Sequence, residues 1–366
     1  MLVKGIPSLK FFSLVIENVT SVESLGPVIE WKDHVSSLDI APFSSFPVHM
    51  KYLEELHIWT GEENDLDYDG QDAIDTINAH RSSLRRLTII HKEGLNGKIQ
   101  SLKIIPHLEY LSIYGEAAPF HVIKSLLDAG KNITVLKLFD IDITGINPTG
   151  LRLPHLKQLS IDSPKALGVL KANANQIEIL HVENWTNAVW NVYPESLPSL
   201  KILAFQYKND FNIQVISKFL EASVDSLQHL AIYCAAGKDY NTLNNQLATM
   251  EVPQMKNLIS FMFDHISRLS DLIISQSSET LESIYVGMDD NYYKKLTLPS
   301  QLLKLKKVVM TYLEEEFITR QSYFEMMKRA YPLAEIKVEK VESYVSFANV
   351  LLRKLGADVR LCFTSV

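Results

Sequence analysis

Cysteine is scarce in this chain of 366 residues, which contains only Cys234 and Cys362. Two widely separated cysteines exclude a disulfide-dense secreted scaffold and are typical of a reducing compartment. Cationic residues are also in deficit, because 36 Lys and Arg stand against 43 Asp and Glu, for a net charge of −7. Nucleic-acid affinity depends largely on cations, so we expect no nucleic-acid partner. The composition indicates a cytoplasmic or nuclear protein.

Long hydrophobic runs are absent as well. No run approaches the roughly 20 apolar residues that a membrane span needs, so we expect no membrane partner. The amino-terminal stretch MLVKGIPSLKFFSLVIENV resembles a signal peptide only loosely, because glycine, proline and lysine interrupt it and no cleavage site follows closely. We interpret it as part of the fold. An extracellular or surface receptor ectodomain stays open as the alternative, since three glycosylation sequons begin at Asn18, Asn132 and Asn184.

Recognisable catalytic motifs are missing too. The chain has no Gly-rich phosphate loop and no HExxH, GxSxG or paired CxxC motif. Its eleven histidines are scattered, and none pairs at helical ligand spacing with a third candidate ligand nearby. The sequence therefore predicts a non-enzymatic protein without a cofactor.

The chain repeats one strand pattern, apolar-x-x-apolar-x-apolar, from end to end. The spacing between successive starts runs from 18 to 31 residues, and a period of 20 to 29 with LxxLxL is the signature of leucine-rich repeats. The pattern begins at Leu9, Val35, Leu53, Leu84, Leu108, Ile133, Leu156, Ile177, Leu200, Leu227, Leu258, Leu281, Leu305 and Leu333.

Helical periodicity often follows a strand pattern. In APFHVIKSLLDAG, Pro119 suits the first turn, the apolar residues share one face, and Gly130 is expected to end the helix in a left-handed conformation. We predict an α/β leucine-rich-repeat solenoid, a horseshoe with a curved parallel sheet on its concave side and helices on its convex side. It would be one domain over residues 1–366, with about 14 repeats across 9–340.

The usual asparagine after the last strand leucine is missing from these repeats, which hold residues such as Lys92, Glu116 and Pro164 there. We therefore expect irregular, helix-rich repeats. At the carboxyl end, the amphipathic stretch YVSFANVLLRKL and the strand-like ADVRLCF predict a capping helix and strand over 341–366, as solenoids require. The amino end shows no equivalent cap.

The concave face is the candidate binding site. Residues at the third, fifth and seventh positions of each pattern point away from the core, and neighbouring parallel strands place them about 5 Å apart. They form an aromatic and apolar strip with acidic side chains at its border, which favours capture of a protein or peptide ligand. The strip contains Trp59, Ile90, Tyr110, Tyr114, Val135 and Phe139, and the border contains Asp162 and Glu183, expected to select a basic flank.

One acidic loop, ENDLDYDGQDAID, partly matches an EF-hand calcium loop. Asp65, Asp67 and Asp69 alternate ahead of Gly70, as calcium ligands do, but the twelfth position holds Thr76 instead of the bidentate glutamate. A solvated loop that leads into a helix explains the same residues. Calcium binding is thus a weak candidate, and no other metal site is predicted.

The repeat region from about Leu9 to Phe363 resembles the leucine-rich-repeat part of F-box proteins, through segments such as HRSSLRRLTI, VDSLQHLAI, SSETLESIYV and YPLAEIKV. In that family an amino-terminal F-box docks on the adaptor of an SCF ubiquitin ligase, and the repeats hold the substrate. No F-box pattern precedes Leu9. The resemblance implies a substrate-receptor role for the concave face, with an SCF adaptor as a partner only through a missing F-box.

Overall fold

The computed structural model describes residues 12–16, 35–40, 50–60, 71–91, 99–115, 120–143, 148–185, 194–207, 213–234, 251–263, 268–287, 302–312, 324–325, 327–341 and 343–358. The chain forms two compact units, where the sequence suggested one domain. The first contains Met1–Lys157 with Lys165–Asn173, and the second contains Gln158–Pro164 with Ala174–Val366.

The first unit contains a parallel sheet whose strands are neighbours in chain order. Its strands are β1 (Phe12–Ile16), β2 (Val35–Ile40), β3 (Glu55–Thr60), β4 (Arg86–His91), β5 (Tyr110–Tyr114) and β6 (Val135–Phe139). Its described α-helices are α1 (Gln71–His80), α2 (Phe120–Ala129) and α3 (Leu167–Asn173). Turns of 3₁₀-helix follow β4 and β6, at Ile99–Ser101 and Pro148–Leu151.

The second unit is built in the same way, again with parallel strands in chain order. Its strands are β7 (Gln158–Ile161), β8 (Ile179–Trp185), β9 (Ile202–Tyr207), β10 (His229–Cys234), β11 (Ser260–Phe263), β12 (Ser283–Gly287), β13 (Lys307–Tyr312) and β14 (Glu335–Lys340). Its described α-helices are α4 (Ile213–Ala222), α5 (Arg268–Gln276) and α6 (Tyr344–Lys354). The coarse prediction of an α/β fold with a parallel sheet is confirmed.

Strand register sorts the side chains onto two faces. In the first unit Leu111 aligns with Leu87 and Leu136 on the neighbouring strands, and all three are fully buried. In the second unit Phe205 of β9 packs edge-on against Phe219 of α4, with 5.8 Å between ring centroids, so this face lies toward the helix. We call the opposite face of each sheet its open face; it carries the alternate residues of every strand.

Gly130 follows α2 directly, but its backbone does not adopt the expected left-handed conformation. The position is closely surrounded by side chains instead. A Cβ there would lie 2.6 Å from Ile133 Cδ1 and 2.8 Å from Leu108 Cδ2, closer than carbon atoms approach. The end of α2 therefore packs tightly against the apolar residues that precede β5 and β6.

A recurrent hydrogen bond connects the chain ahead of a strand to a helix end. Three residues before a strand pattern, a backbone N–H is bonded to the end of the helix that follows that strand. The acceptor is a carbonyl oxygen for Ile105 (Ala129, 2.9 Å), Leu197 (Ala222, 2.7 Å) and Met255 (Gln276, 3.1 Å). A side chain accepts instead for Met50 (His80 Nε2, 2.9 Å) and Leu153 (Asn173 Oδ1, 2.8 Å). Buried backbone donors are thus satisfied at these five positions.

Helix α6 does not sit where a terminal cap was expected. Its buried side chains, Ala348, Leu351 and Leu352, cluster with residues of β9, β10 and β11, in the middle of the second unit, and not with the last strand. An amphipathic pattern requires that one helix face be buried but does not specify against what. β14 keeps four exposed residues among its six, and the expected strand around Leu361 lies outside the described residues.

Candidate functional site

The first unit carries four large apolar side chains side by side on its open face. We call Trp59, Ile90, Tyr114 and Phe139 the aromatic row, because each aligns with the next across β3, β4, β5 and β6. Trp59, Ile90 and Tyr114 are partly exposed. Phe139 is only 4% exposed and stacks on Tyr114, with 4.5 Å between centroids and 27° between planes. Phe139 therefore supports Tyr114 from beside it and is not itself an accessible anchor.

Tyr110 also proves to be buried, although the sequence suggested an exposed anchor. The Arg86 guanidinium lies 3.9 Å from the centroid of the Tyr110 ring, and the Lys137 ammonium lies 5.5 Å from it. Arg86 Nε is in turn 3.1 Å from Glu55 Oε1. Cations stack favourably on an aromatic face, so these neighbours enclose the ring and leave it 2% exposed. Val135, which aligns with Tyr110, is partly exposed.

The two acidic residues predicted to border the strip belong to the second unit. Glu183 is already engaged there, because its Oε1 lies 3.1 Å from His181 Nδ1. His181 Nε2 lies 2.6 Å from the hydroxyl oxygen of Tyr233, which completes a Glu–His–Tyr chain with both rings buried. Asp162 is half-buried. Neither carboxylate is a fully exposed group of the kind expected to select a basic flank.

The open face of the second unit has a depression that the sequence reasoning missed. One lateral row runs Ser160, His181, Ala204, Ala231, Met262, Tyr285, Val309 and Lys337 across β7 to β14. Two adjacent alanines stand at its centre, between larger residues. We call this depression the trough, formed by Ile202, Ala204, Ala231, Tyr233 and Met262.

Helix α6 lies in the trough. Ala348 is fully buried in the same cluster as the two trough alanines, and Leu352 is 2% exposed. Phe347 extends toward β12, with its ring centroid 6.1 Å from that of Tyr285. Ser343 caps the amino end, since its side chain accepts a hydrogen bond from the Ser346 N–H at 3.0 Å. Small residues on both surfaces let the helix backbone approach the sheet closely.

The segment after α6 is held by a side-chain amide. Gln158 of β7 donates from Nε2 to the Asp358 carbonyl oxygen at 2.7 Å and accepts from the Asp358 N–H at 2.8 Å. These two hydrogen bonds resemble those between paired strands and hold the main chain of the segment in place. The segment runs across the strands from β12, near Phe347, to β7, where Asp358 is bonded. Its direction is opposite to the order of the strands in the chain.

Two sequence signals could have revealed the trough. In LKILAF and LQHLAI the fifth position of the strand pattern is alanine in two consecutive repeats, at Ala204 and Ala231. In YVSFANVLLRKL the apolar residues Phe347, Leu351 and Leu355 recur at intervals of four, with Ala348 on the same face. A small-residue depression and a helix with a small residue at its centre are complementary, but their proximity depends on the fold.

Burial shifts the pKa values of two side chains on this face. Burial lowers the pKa of the His229 imidazole, whose Nδ1 lies 2.7 Å from Ser260 Oγ, so the neutral ring predominates at neutral pH. Burial likewise raises the pKa of the Tyr285 hydroxyl, which stays protonated. Both of these groups on the open face are therefore uncharged at neutral pH.

Within the described ranges, no three His, Cys, Asp or Glu side chains are grouped as metal ligands would be. The weak calcium candidate, Asp65, Asp67 and Asp69, lies outside the described residues. Among the helices that the structure describes, none has both the length and the apolar character of a membrane span.

A scan against known protein families found no family model that matches the chain, and a search of curated proteins found no match either.

Proposed function

We propose that this chain is a non-enzymatic binding scaffold of the leucine-rich-repeat class, with about 14 repeats. Its open face would be the concave surface of a solenoid and would capture a protein or peptide. Parallel strands in chain order, spaced by the period of the sequence pattern, support the repeat class. The helix ends that satisfy backbone donors before the strands support an irregular, helix-rich version of it.

The aromatic row is the observation that carries the proposal. Trp59, Ile90 and Tyr114 lie in register on adjacent strands and remain partly exposed, while the alternate residues of the same strands are buried. Large side chains on the face away from the core are not needed to fill it. Trp and Tyr are preferred anchors of protein interfaces because they bury large areas at a low cost in conformational entropy.

The resemblance of the repeats to those of F-box proteins gives the proposal a more specific form. In that form the chain is the substrate-receptor part of an SCF-type ubiquitin ligase, and an F-box supplied elsewhere would connect it to the adaptor. The aromatic row would then hold the substrate. This form adds an SCF adaptor as a partner, but the surface proposed to capture the substrate stays the same.

Combined truncation of Trp59 and Tyr114 to alanine is expected to weaken partner capture strongly. Loss of one interface anchor costs about 2 kcal/mol or more, which corresponds to roughly 30-fold in Kd. The measurement is quantitative affinity purification from cells that express the protein naturally, with wild type and variant compared protein by protein. The expected result is a defined set of partners lost from the double variant.

A matched control uses two exposed apolar residues of the first unit outside the row. Tyr52 is 43% exposed and Ile104 is 54% exposed, so Tyr52→Ala with Ile104→Ala removes comparable apolar surface. This control is expected to retain the wild-type partners. If the row variant and the wild type capture the same partners in the same amounts, the aromatic row is not the binding surface.

A further inference from the structure

The trough of the second unit holds α6 on the face of the sheet that is not used for its core. Leu203 and Phe205 of β9 are buried on the helix side, while Ile202 and Ala204 of the same strand are buried beneath α6. The sheet and its helices therefore have a core that does not include α6. That core does not require the residues on the opposite face of β9 to be apolar as well.

We propose that the trough is a receptor site for an amphipathic helix of a partner protein, and that α6 is its intramolecular competitor. This site is additional to the aromatic row. Its test needs no natural partner, so it can fail or succeed independently of the proposed function.

The shape of the trough specifies a helix. Ala204 and Ala231 are adjacent in register, and the side chains of Ile202, Tyr233 and Met262 surround them. A strip without bulky side chains, bounded by large ones, admits the backbone of a helix at close range. Ala348 of α6 is fully buried in the same cluster as these two alanines. A helix with a large residue at that position would not reach the same depth.

The attachment of α6 is of the kind that permits release. The helix follows β14 closely in the chain, with only residues 341–343 between them. Its backbone hydrogen bonds are internal to the helix or its cap, and none of its residues pairs with a strand in the described sheet. Release would expose the trough without breaking a strand pair.

α6 is also an imperfect ligand. Asn349 is 4% exposed, and its side-chain nitrogen Nδ2 has no hydrogen-bond partner among the described residues. A buried polar atom left unpaired weakens an interface, whereas an apolar side chain of similar size would not. A partner helix with leucine at this position would therefore bind the trough more tightly than α6 does.

The partner chemistry follows from these contacts. The helix would carry apolar residues at the positions of Phe347, Leu351 and Leu355, a small residue at that of Ala348, and an apolar residue at that of Asn349. It would be followed by an extended segment, whose main chain Gln158 can bond as it bonds Asp358. No charge is required of the buried face, because the trough side chains are apolar apart from the Tyr233 hydroxyl, whose oxygen lies 2.6 Å from His181 Nε2.

The test measures binding of a fluorescent synthetic peptide with the sequence of residues 343–358 to the full chain, by anisotropy. Leu352→Asp in the chain places a charge in the trough and is expected to release α6. Because a short linker holds α6 at millimolar effective concentration, its release is expected to tighten peptide binding at least about tenfold. Val350→Asp, the same kind of change on the exposed side of α6 (Val350 is 47% exposed), is expected to bind like wild type.

A second peptide with Asn349→Leu is expected to bind the Leu352→Asp chain about fivefold or more tightly than the native peptide. Hydrogen exchange over β9, β10 and β11 reports whether the trough persists after release. The proposal is wrong if the Leu352→Asp chain binds the peptide no better than wild type. It is equally wrong if that variant loses protection throughout the three strands, because α6 is then a structural element and no free receptor site exists.

Discussion

Replacing Phe205 by alanine is expected to lower the free energy of unfolding of the second unit by about 3–5 kcal/mol. The Phe205 ring is fully buried and packs edge-on against Phe219 of α4, so its removal leaves a cavity between sheet and helix. The surrounding strands are held by parallel pairing on both sides and cannot collapse fully into the space. Loss of an aromatic pair adds to the loss of buried area.

Peptide-resolved hydrogen exchange is the suitable measurement, because the chain forms two compact units that can open separately. Protection should fall in β9 and α4. Gln206→Ala is the control, since Gln206 is the next residue of the same strand and is only half-buried. We expect that control to cost under about 1 kcal/mol. Equal losses of protection in the two variants would mean that the assignment of Phe205 to the core face is wrong.

Replacing Asn173 by leucine is expected to destabilise the first unit by about 3–5 kcal/mol, although the two side chains have similar size. The buried Asn173 amide makes three hydrogen bonds to main-chain groups. Its Oδ1 accepts from the Leu153 N–H at 2.8 Å, and its Nδ2 donates to the carbonyl oxygens of Leu151 at 2.9 Å and Val169 at 2.8 Å. Leucine would leave these groups unpaired, at about 1–3 kcal/mol for each group that stays buried.

Peptide-resolved hydrogen exchange over residues 148–173 measures this loss of stability. Asn175→Leu is the matched control, because Asn175 is exposed two residues further on and undergoes the same chemical change. It should leave protection of α3 and of the Leu153 amide unchanged. If Asn173→Leu also leaves them unchanged, the Asn173 amide does not connect α3 to residues 151–153, and the structural role given to it is incorrect.

The strands and their core residues could be predicted from the sequence, because alternation within LxxLxL fixes which residues share a face. Leu108, Leu111 and Ile113 are buried as that pattern requires. The burial of the Tyr110 side chain could not be predicted in this way. It depends on Arg86 and Lys137, which lie 24 and 27 residues away in the chain and reach the ring only after the strands pair.

The place of α6 could not be predicted either. Its sequence pattern identifies an apolar face but fits equally well at the end of a sheet or across its middle. The difference is made by Ala204 and Ala231, which create space for a helix only because register puts them side by side. The roles of His80 and Asn173 could not be predicted either, because they accept backbone hydrogen bonds from helix ends, where no fixed spacing in the strand pattern marks them.

The most direct test of the binding-scaffold account is site-specific photo-crosslinking in cells that express the protein naturally. A photoreactive phenylalanine analogue at Ile90 lies on the open face between Trp59 and Tyr114. The same analogue at His121 lies at an exposed position of α2. The account predicts protein adducts from position 90 that are absent from position 121. Adducts from position 121 alone, or identical adducts from both positions, would contradict it.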